Sequence, residues 1–266
     1  MKIFDPYIRS RTQSEDDLKN LRYFGTTEVV TTAHDAQSFE TAQDLIAYFE
    51  VLRGEECRRL RRCGLIPHVA LGVLPAARPR RAHYEVWEAL PDLLRTSTVV
   101  AMGEIGVWED IEEQWELFER QVEIARQVGP IPILVTPPRE LKITMTYKMM
   151  TWLKRKSYPP SLVVMNRLDE RLLENVVESG FCAGYPVGAA SNDPRRAGGH
   201  IAQVLERVDG AGRILLTTAL RRQCGDVLGI SKTIKALRRQ DVQEEAIRRM
   251  VYGNAARLFA EKRPGK

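Results

Sequence analysis

Eight short apolar runs punctuate the chain, at residues 2–4, 28–32, 69–73, 99–105, 131–136, 162–165, 181–185 and 214–218. Each is too short for a helix and lacks strict polar alternation, as strands buried on both faces of a parallel sheet should. Segments with helical spacing lie between them. Ser14-Glu15-Asp16-Asp17 sets an N-cap before a first turn of acids and starts a helix through Leu21. Residues 112–127 carry Trp115, Leu117, Phe118, Val122, Ile124 and Ala125 to cover a sheet face, and Gly129-Pro130 ends that helix. Further helices are expected over residues 38–62, 84–94, 146–156, 170–178, 199–208 and 230–239, with a C-terminal helical segment over 243–260. Strand and helix therefore alternate throughout, which predicts an α/β protein with a parallel sheet and right-handed crossovers. Eight repeats predict a closed (β/α)8 TIM barrel with parallel strands and extra C-terminal helices.

The length of 266 residues agrees with that reading, since such barrels run to about 250 residues. No internal repeat or linker cuts the chain, so residues 1–266 are read as a single domain. With 44% hydrophobic and 28% charged residues, the composition is that of an ordinary soluble globular protein able to bury a core without staples. The formal charge of +5 resides largely in arginine runs such as Arg58-Arg59-Leu60-Arg61-Arg62 and Arg78-Pro79-Arg80-Arg81. A nucleic-acid or membrane surface would favour such patches, and nucleic acid stays open as a partner; because acids interleave nearly everywhere else, solvated helix and loop surfaces are the preferred reading. Cys57, Cys63, Cys182 and Cys224 show no CxxC spacing, and the start of the chain carries no apolar leader. Neither a disulfide framework nor secretion is suggested, and a cytoplasmic location is expected. No run reaches the ~20 apolar residues of a membrane helix, so no membrane insertion is expected.

In a barrel of this kind reactive groups gather at the C-terminal ends of the strands. That rule selects Tyr7 and Arg9, His34 and Asp35, Glu104, Thr136 and Arg139, Arg167, and Arg221, which would share one mouth. Arg9, Arg167 and Arg221, each just past a strand, set around Glu104 make that mouth cationic. His68 opens the third strand beside Pro67 and so belongs to the opposite, stability face. His83 and His200 read as surface residues, Cys224 as a spectator thiol, and Lys142 and Arg222 as extensions of the basic rim.

Several segments resemble the TatD-type metal-dependent hydrolases of the amidohydrolase superfamily, in the family's order along the chain. They are Phe4-Asp5-Pro6-Tyr7-Ile8-Arg9, Leu71-Gly72-Val73-Leu74-Pro75, Gly103-Glu104-Ile105-Gly106, Pro132-Ile133-Leu134-Val135-Thr136 and Gly253-Asn254-Ala255-Ala256-Arg257-Leu258-Phe259. The resemblance implies a TIM barrel holding one or two divalent metals. Their ligands would be a His-x-His after strand 1, a Glu at strand 4, a His after each of strands 5 and 6, and an Asp after strand 8. In this chain the His-x-His becomes Tyr7-Ile8-Arg9 and the strand 5 His becomes Thr136. The strand 6 His falls on Asn166 or Arg167, and the strand 8 Asp on Ala219 or Arg221. Glu104 alone matches.

A guanidinium has no free lone pair and stays protonated, so arginine cannot replace a metal ligand. It also repels: a divalent ion 4 Å from one arginine faces roughly 8 kcal/mol at an effective dielectric near 20. No resident metal or cofactor is therefore expected. Two arrangements remain open. In one, Glu104 pairs with Arg9, Arg167 or Arg221 and the network plugs a dead site. In the other, one arginine neutralises Glu104 while the rest, with Arg139 and Thr136, hold an anionic small molecule or an acidic group of a protein partner. Should catalysis persist, Glu104 or Tyr7 would transfer the proton. The family's own activity, metal-dependent hydrolysis of phosphodiester bonds, stands as the alternative.

Overall fold

Valine, isoleucine and leucine dominate the strands because each strand is covered twice, by the barrel interior and by a helix layer. The computed structural model describes residues 1–33, 38–79, 84–129, 131–188, 192–221 and 225–260. Strands β1 (Ile3–Ile8), β2 (Thr26–Thr32), β3 (Ile66–Leu71), β4 (Val99–Ile105), β5 (Ile133–Val135), β6 (Val163–Met165), β7 (Cys182–Pro186) and β8 (Ile214–Thr217) form one sheet in sequence order. Each successive pair from β1–β2 to β7–β8 is parallel. Around them lie α1 (Glu15–Tyr23), α2 (Ala42–Val51), α3 (Cys57–Arg62), α4 (Tyr84–Leu94), α5 (Glu112–Gln127), α6 (Lys142–Arg155), α7 (Glu170–Glu178), α8 (Pro194–Arg207), α9 (Gly229–Arg238) and α10 (Glu244–Arg248). The architecture is a nearly closed (β/α)8 TIM barrel, as the alternation predicts. No helix among the described residues is long and apolar enough to cross a membrane.

Two cores result from the twofold alternation of strand side chains. Phe4, Val30, Ala70, Leu134, Val164 and Leu215 fill the barrel, while their neighbours along each strand pack outward on the helices. The C-terminal segment plugs the lower end, where Ala255, Leu258 and Phe259 join the inner core and Phe259 meets Phe4 edge-on at 6.2 Å. His68 stacks on Phe4 at 5.0 Å and lies 2.9 Å from Glu28, which also accepts from the Tyr252 hydroxyl at 2.7 Å. These residues seal the face opposite the mouth.

The seam between β1 and β8 is closed by side chains as much as by backbone. The Arg9 N–H donates to the Leu220 carbonyl (2.8 Å), and the Thr217 hydroxyl oxygen lies 2.8 Å from the Tyr7 carbonyl. Asp5, wholly buried, accepts from the Thr217 hydroxyl (2.7 Å), the Thr218 N–H (3.1 Å), the Thr218 hydroxyl and the Tyr7 N–H (3.3 Å). Burial outweighs these four donors and pushes its pKa up to about 6.

Some boundaries move. Strand β1 extends to Ile8, so Tyr7 lies inside it, and α6 begins at Lys142, four residues ahead of position 146. Helix α8 begins at Pro194 with Asp193 capping the Arg195 N–H at 2.9 Å, well before position 199. The Gly198-Gly199 pair looks like a helix breaker in sequence. In space it is a contact: a Cβ on Gly198 would lie 2.6 Å from that of Ala236, so the bare backbone lets α8 and α9 touch.

Candidate functional site

The mouth is built around Glu104, at the end of β4. A Cβ on Gly106 would stand 2.4 Å from the Thr136 carbonyl, so glycine there allows β4 to close on the exit of β5. The Thr136 N–H then reaches the Ile105 carbonyl at 2.8 Å, and its hydroxyl donates to Glu104 Oε2 at 3.0 Å. Glu104 is wholly buried. Its Oε1 accepts from the Tyr7 hydroxyl (2.8 Å), Arg9 Nη2 (2.9 Å) and Arg9 Nε (3.3 Å), with the Thr32 hydroxyl at 3.5 Å. Arg9 is itself buried, so its charge and that of Glu104 answer each other out of water. Such a pair is held by the loss that either partner's removal would bring.

Arg167 closes the second layer. Its backbone is left-handed, with φ of 56°, and the side chain turns back over Tyr7, its guanidinium carbon 5.8 Å from the ring centre. Nε (3.2 Å) and Nη2 (2.9 Å) both donate to the Tyr7 hydroxyl, and Nη2 stands 3.7 Å from Glu104 Oε2. Tyr7 thus accepts from Arg167 and donates to Glu104. Burial and then the Glu104 charge raise its pKa above the usual phenol value, against the opposing pull of Arg167 and Arg9, so the hydroxyl keeps its proton. Burial lowers the Arg167 pKa, but Tyr7 and Glu104 outweigh it and the net direction is upward. Its charge is permanent.

Of the residues singled out in sequence, Glu104, Tyr7, Arg9, Thr136 and Arg167 converge. Thr136 serves Glu104. Arg221 and Arg139 are exposed, and among the described residues no hydrogen bond or ion pair ties either side chain to Glu104. The reason at Arg221 is local: Ala219 is left-handed (φ 47°), Leu220 packs inward at 3% exposure, and the next side chain faces out. Lys142 is half-buried and 3.7 Å from Asp169, its pKa lowered first by burial and also by nearby Arg167. Asp169 caps α7 and pairs with Arg171 at 2.9 Å. His200 departs from the surface reading, being half-buried with Nδ1 3.4 Å from the Tyr185 hydroxyl, and burial lowers its pKa. His34, Asp35, His83, Arg222 and Cys224 lie outside the described residues.

Three residues escaped the sequence reading of roles. Asp5 carries the one signal that could have revealed it, a charge within an apolar run. Thr32 looks like any strand threonine. Asn166, a family-aligned position, is 1% exposed, and among the described residues its Nδ2 has no hydrogen-bond partner.

No family model matches the chain. Over 261 residues it is 23% identical to an uncharacterized metal-dependent hydrolase of Methanocaldococcus jannaschii, spanning 97% of this chain and 99% of that protein. The TatD-like protein of Archaeoglobus fulgidus superposes with a TM-score of 0.75 at 24% identity, over 93% of this chain and 99% of that one. The fold is that of a TatD-like barrel. A phosphotriesterase of Mycobacterium tuberculosis shares it more distantly, with a TM-score of 0.63 at 14% identity over 97% of this chain and 94% of that one.

The metal that a TatD-like barrel implies does not fit the donors described at this mouth. Glu104 is its only family ligand in place, and the guanidinium nitrogens of Arg9 and the hydroxyls of Tyr7 and Thr136 already occupy its oxygens. Among the described residues no group of three or more His, Cys, Asp or Glu comes together. A divalent ion entering here would have to displace one guanidinium and sit beside another.

Proposed function

We propose that this TatD-like barrel binds an anion at its mouth without a resident metal, and that it does not carry out metal-dependent hydrolysis. The observation supporting this reading is the clasp on Glu104. Arg9 and Arg167 together bring two positive charges, the charge of a divalent ion, to the acid that the resemblance makes a metal ligand. Arg9 neutralises Glu104. Arg167, with its side chain 23% exposed, is left to receive the anionic group of a small molecule or of a protein partner.

The test is a titration of chelator-treated protein with zinc or manganese, and separately with inorganic phosphate and acetate. The proposal expects an anion to bind and no stoichiometric metal at the mouth. Stoichiometric uptake that Glu104→Gln abolishes would overturn it.

The name of the Methanocaldococcus relative favours a second reading, a metal-dependent hydrolase; the resemblance to the TatD type would make it a deoxyribonuclease or other enzyme acting on phosphodiester bonds. Metal-stimulated DNA cleavage lost in Glu104→Ala decides for it. A metal-free enzyme would draw on the Tyr7 to Glu104 hydrogen bond for proton transfer and on Arg167 to orient an anionic substrate. Turnover that survives Glu104→Gln removes that variant of the proposal.

A further inference from the structure

We infer that the anion received at the mouth is a carboxylate, held by the outer edge of the Arg167 guanidinium together with the side-chain amide of Asn166. The inference rests on the mouth being an anion site and names the class of its ligand. Arg167 spends Nε and one Nη2 hydrogen on the Tyr7 hydroxyl, and among the described residues Nη1 has no partner. Five N–H groups radiate from a guanidinium in one plane. What remains is the Nη1–Nη2 edge, the one that meets the two oxygens of a planar carboxylate side by side.

Asn166 supplies the second donor. Val164, two residues before it, belongs to the inner core, and so does Cys182, two residues before Gly184. A Cβ on Gly184 would lie 2.3 Å from Asn166 Oδ1. The amide therefore lies on the interior side of the barrel, across that glycine, at the mouth end of β6. It is 1% exposed, and Nδ2 makes no hydrogen bond among the described residues. A buried donor left without an acceptor is unfavourable, and such groups in native folds are completed by water or by a ligand. What this one lacks is an acceptor oxygen, which an anion brings. The left-handed backbone at Arg167 is a further mark, since strained non-glycine residues gather at binding sites.

The charge at the mouth favours a monoanion. Arg9 answers Glu104, Asp169 is engaged by Lys142 and Arg171, and Asp5 is satisfied by four donors on the seam. Among the described residues in contact with Tyr7 and Glu104, that leaves the charge of Arg167. A phosphate dianion on Arg167 would bring excess negative charge next to Glu104 Oε2, which already stands 3.7 Å from the same Nη2.

The experiment titrates the full chain with acetate and with inorganic phosphate in chloride-free buffer, read by calorimetry and by ligand-dependent thermal stabilisation. Acetate should bind more tightly than phosphate. Asn166→Leu, matched in shape, and Arg167→Lys, which keeps the charge but loses the fork, should each weaken acetate binding about tenfold or more. The ligand-free Asn166→Leu protein should be at least as stable as the native one, because it no longer buries an unpaired donor; a merely structural asparagine predicts the reverse. Unchanged acetate affinity in Asn166→Leu, or a preference for phosphate, overturns the carboxylate assignment and leaves the anion site standing. Binding of neither anion, or binding indifferent to Arg167→Lys, overturns the anion site itself. Asn166→Ser, which shortens the donor, takes the place of the leucine variant should that one fail to fold.

Discussion

Replacing Glu104 by glutamine separates a charge clasp from a metal ligand. Glutamine keeps the shape, and its carbonyl oxygen can still accept from Tyr7 and Arg9, now at 2.8 and 2.9 Å from Oε1. Its amide can donate to the Thr136 hydroxyl, which turns to accept. The hydrogen bonds largely survive and the charge does not. Arg9, with a side chain 9% exposed, then loses the Glu104 charge 2.9 Å from its Nη2, and Arg167 loses the carboxylate 3.7 Å away. Removing one partner of a buried pair typically costs about 3–5 kcal/mol. We take about 3 kcal/mol, on the order of 10 °C in melting temperature for a chain of this size.

The assay is unfolding followed by circular dichroism in chelator, for Glu104→Gln, Arg9→Met and the double variant. Each single variant should lose about 3 kcal/mol, and the double should lose less than their sum by about 2 kcal/mol, because both changes remove the same Arg9–Glu104 interaction. A metal ligand behaves otherwise: in chelator its loss is neutral or stabilising, since it removes an uncompensated acid. If Glu104→Gln is as stable as the native protein in chelator and loses only a stabilisation that zinc provides, the clasp does not hold the mouth.

Asp5 makes stability depend on pH. Its pKa rises from 3.8 in the unfolded reference to about 6 in the fold, so between those values the folded chain holds a proton that the unfolded chain has released. Its contribution is full below about pH 4 and is lost as pH rises through 6, in total about 3 kcal/mol; a flat profile between pH 4 and 6.5 contradicts the placement of Asp5. Tyr7→Phe removes the donor to Glu104 and the acceptor of two Arg167 N–H groups, and should cost about 2 kcal/mol in thermal unfolding, with a null effect contradicting a stabilising role for these hydrogen bonds. Gly184→Ala drives a methyl to within 2.3 Å of Asn166 Oδ1 and 3.2 Å of Val164 Cγ1 and should cost about 1–3 kcal/mol, so a wild-type midpoint would show the amide elsewhere. Arg59→Ala frees the turn after β1, because Arg59 Nη2 donates to the Ser10 carbonyl at 2.7 Å and Nη1 to that of Gln13 at 3.2 Å; faster proteolysis near residues 10–13 is expected.

The spacing of apolar runs was enough to place eight strands and the helices between them, because burial on two faces imposes its own composition wherever it occurs. A barrel follows from that repeat, and Glu104 with the arginines at Arg9 and Arg167 follows from where strands end. The sequence also determined that the mouth would be cationic, since guanidinium groups cannot be discharged by any fold. Tertiary structure decided which charges meet. Arg167 joins the clasp through a left-handed turn of the backbone, whereas Arg221 is carried outward when Leu220 packs in, and no local pattern distinguishes the two. Asp5 and Thr217 are 212 residues apart yet clasp one seam, and Asn166, across Gly184 on the next strand, finds no acceptor for its Nδ2 among the described residues. Pairing, burial and the absence of a partner are properties of neighbours in space, and the linear chain specifies those neighbours only once the barrel has closed.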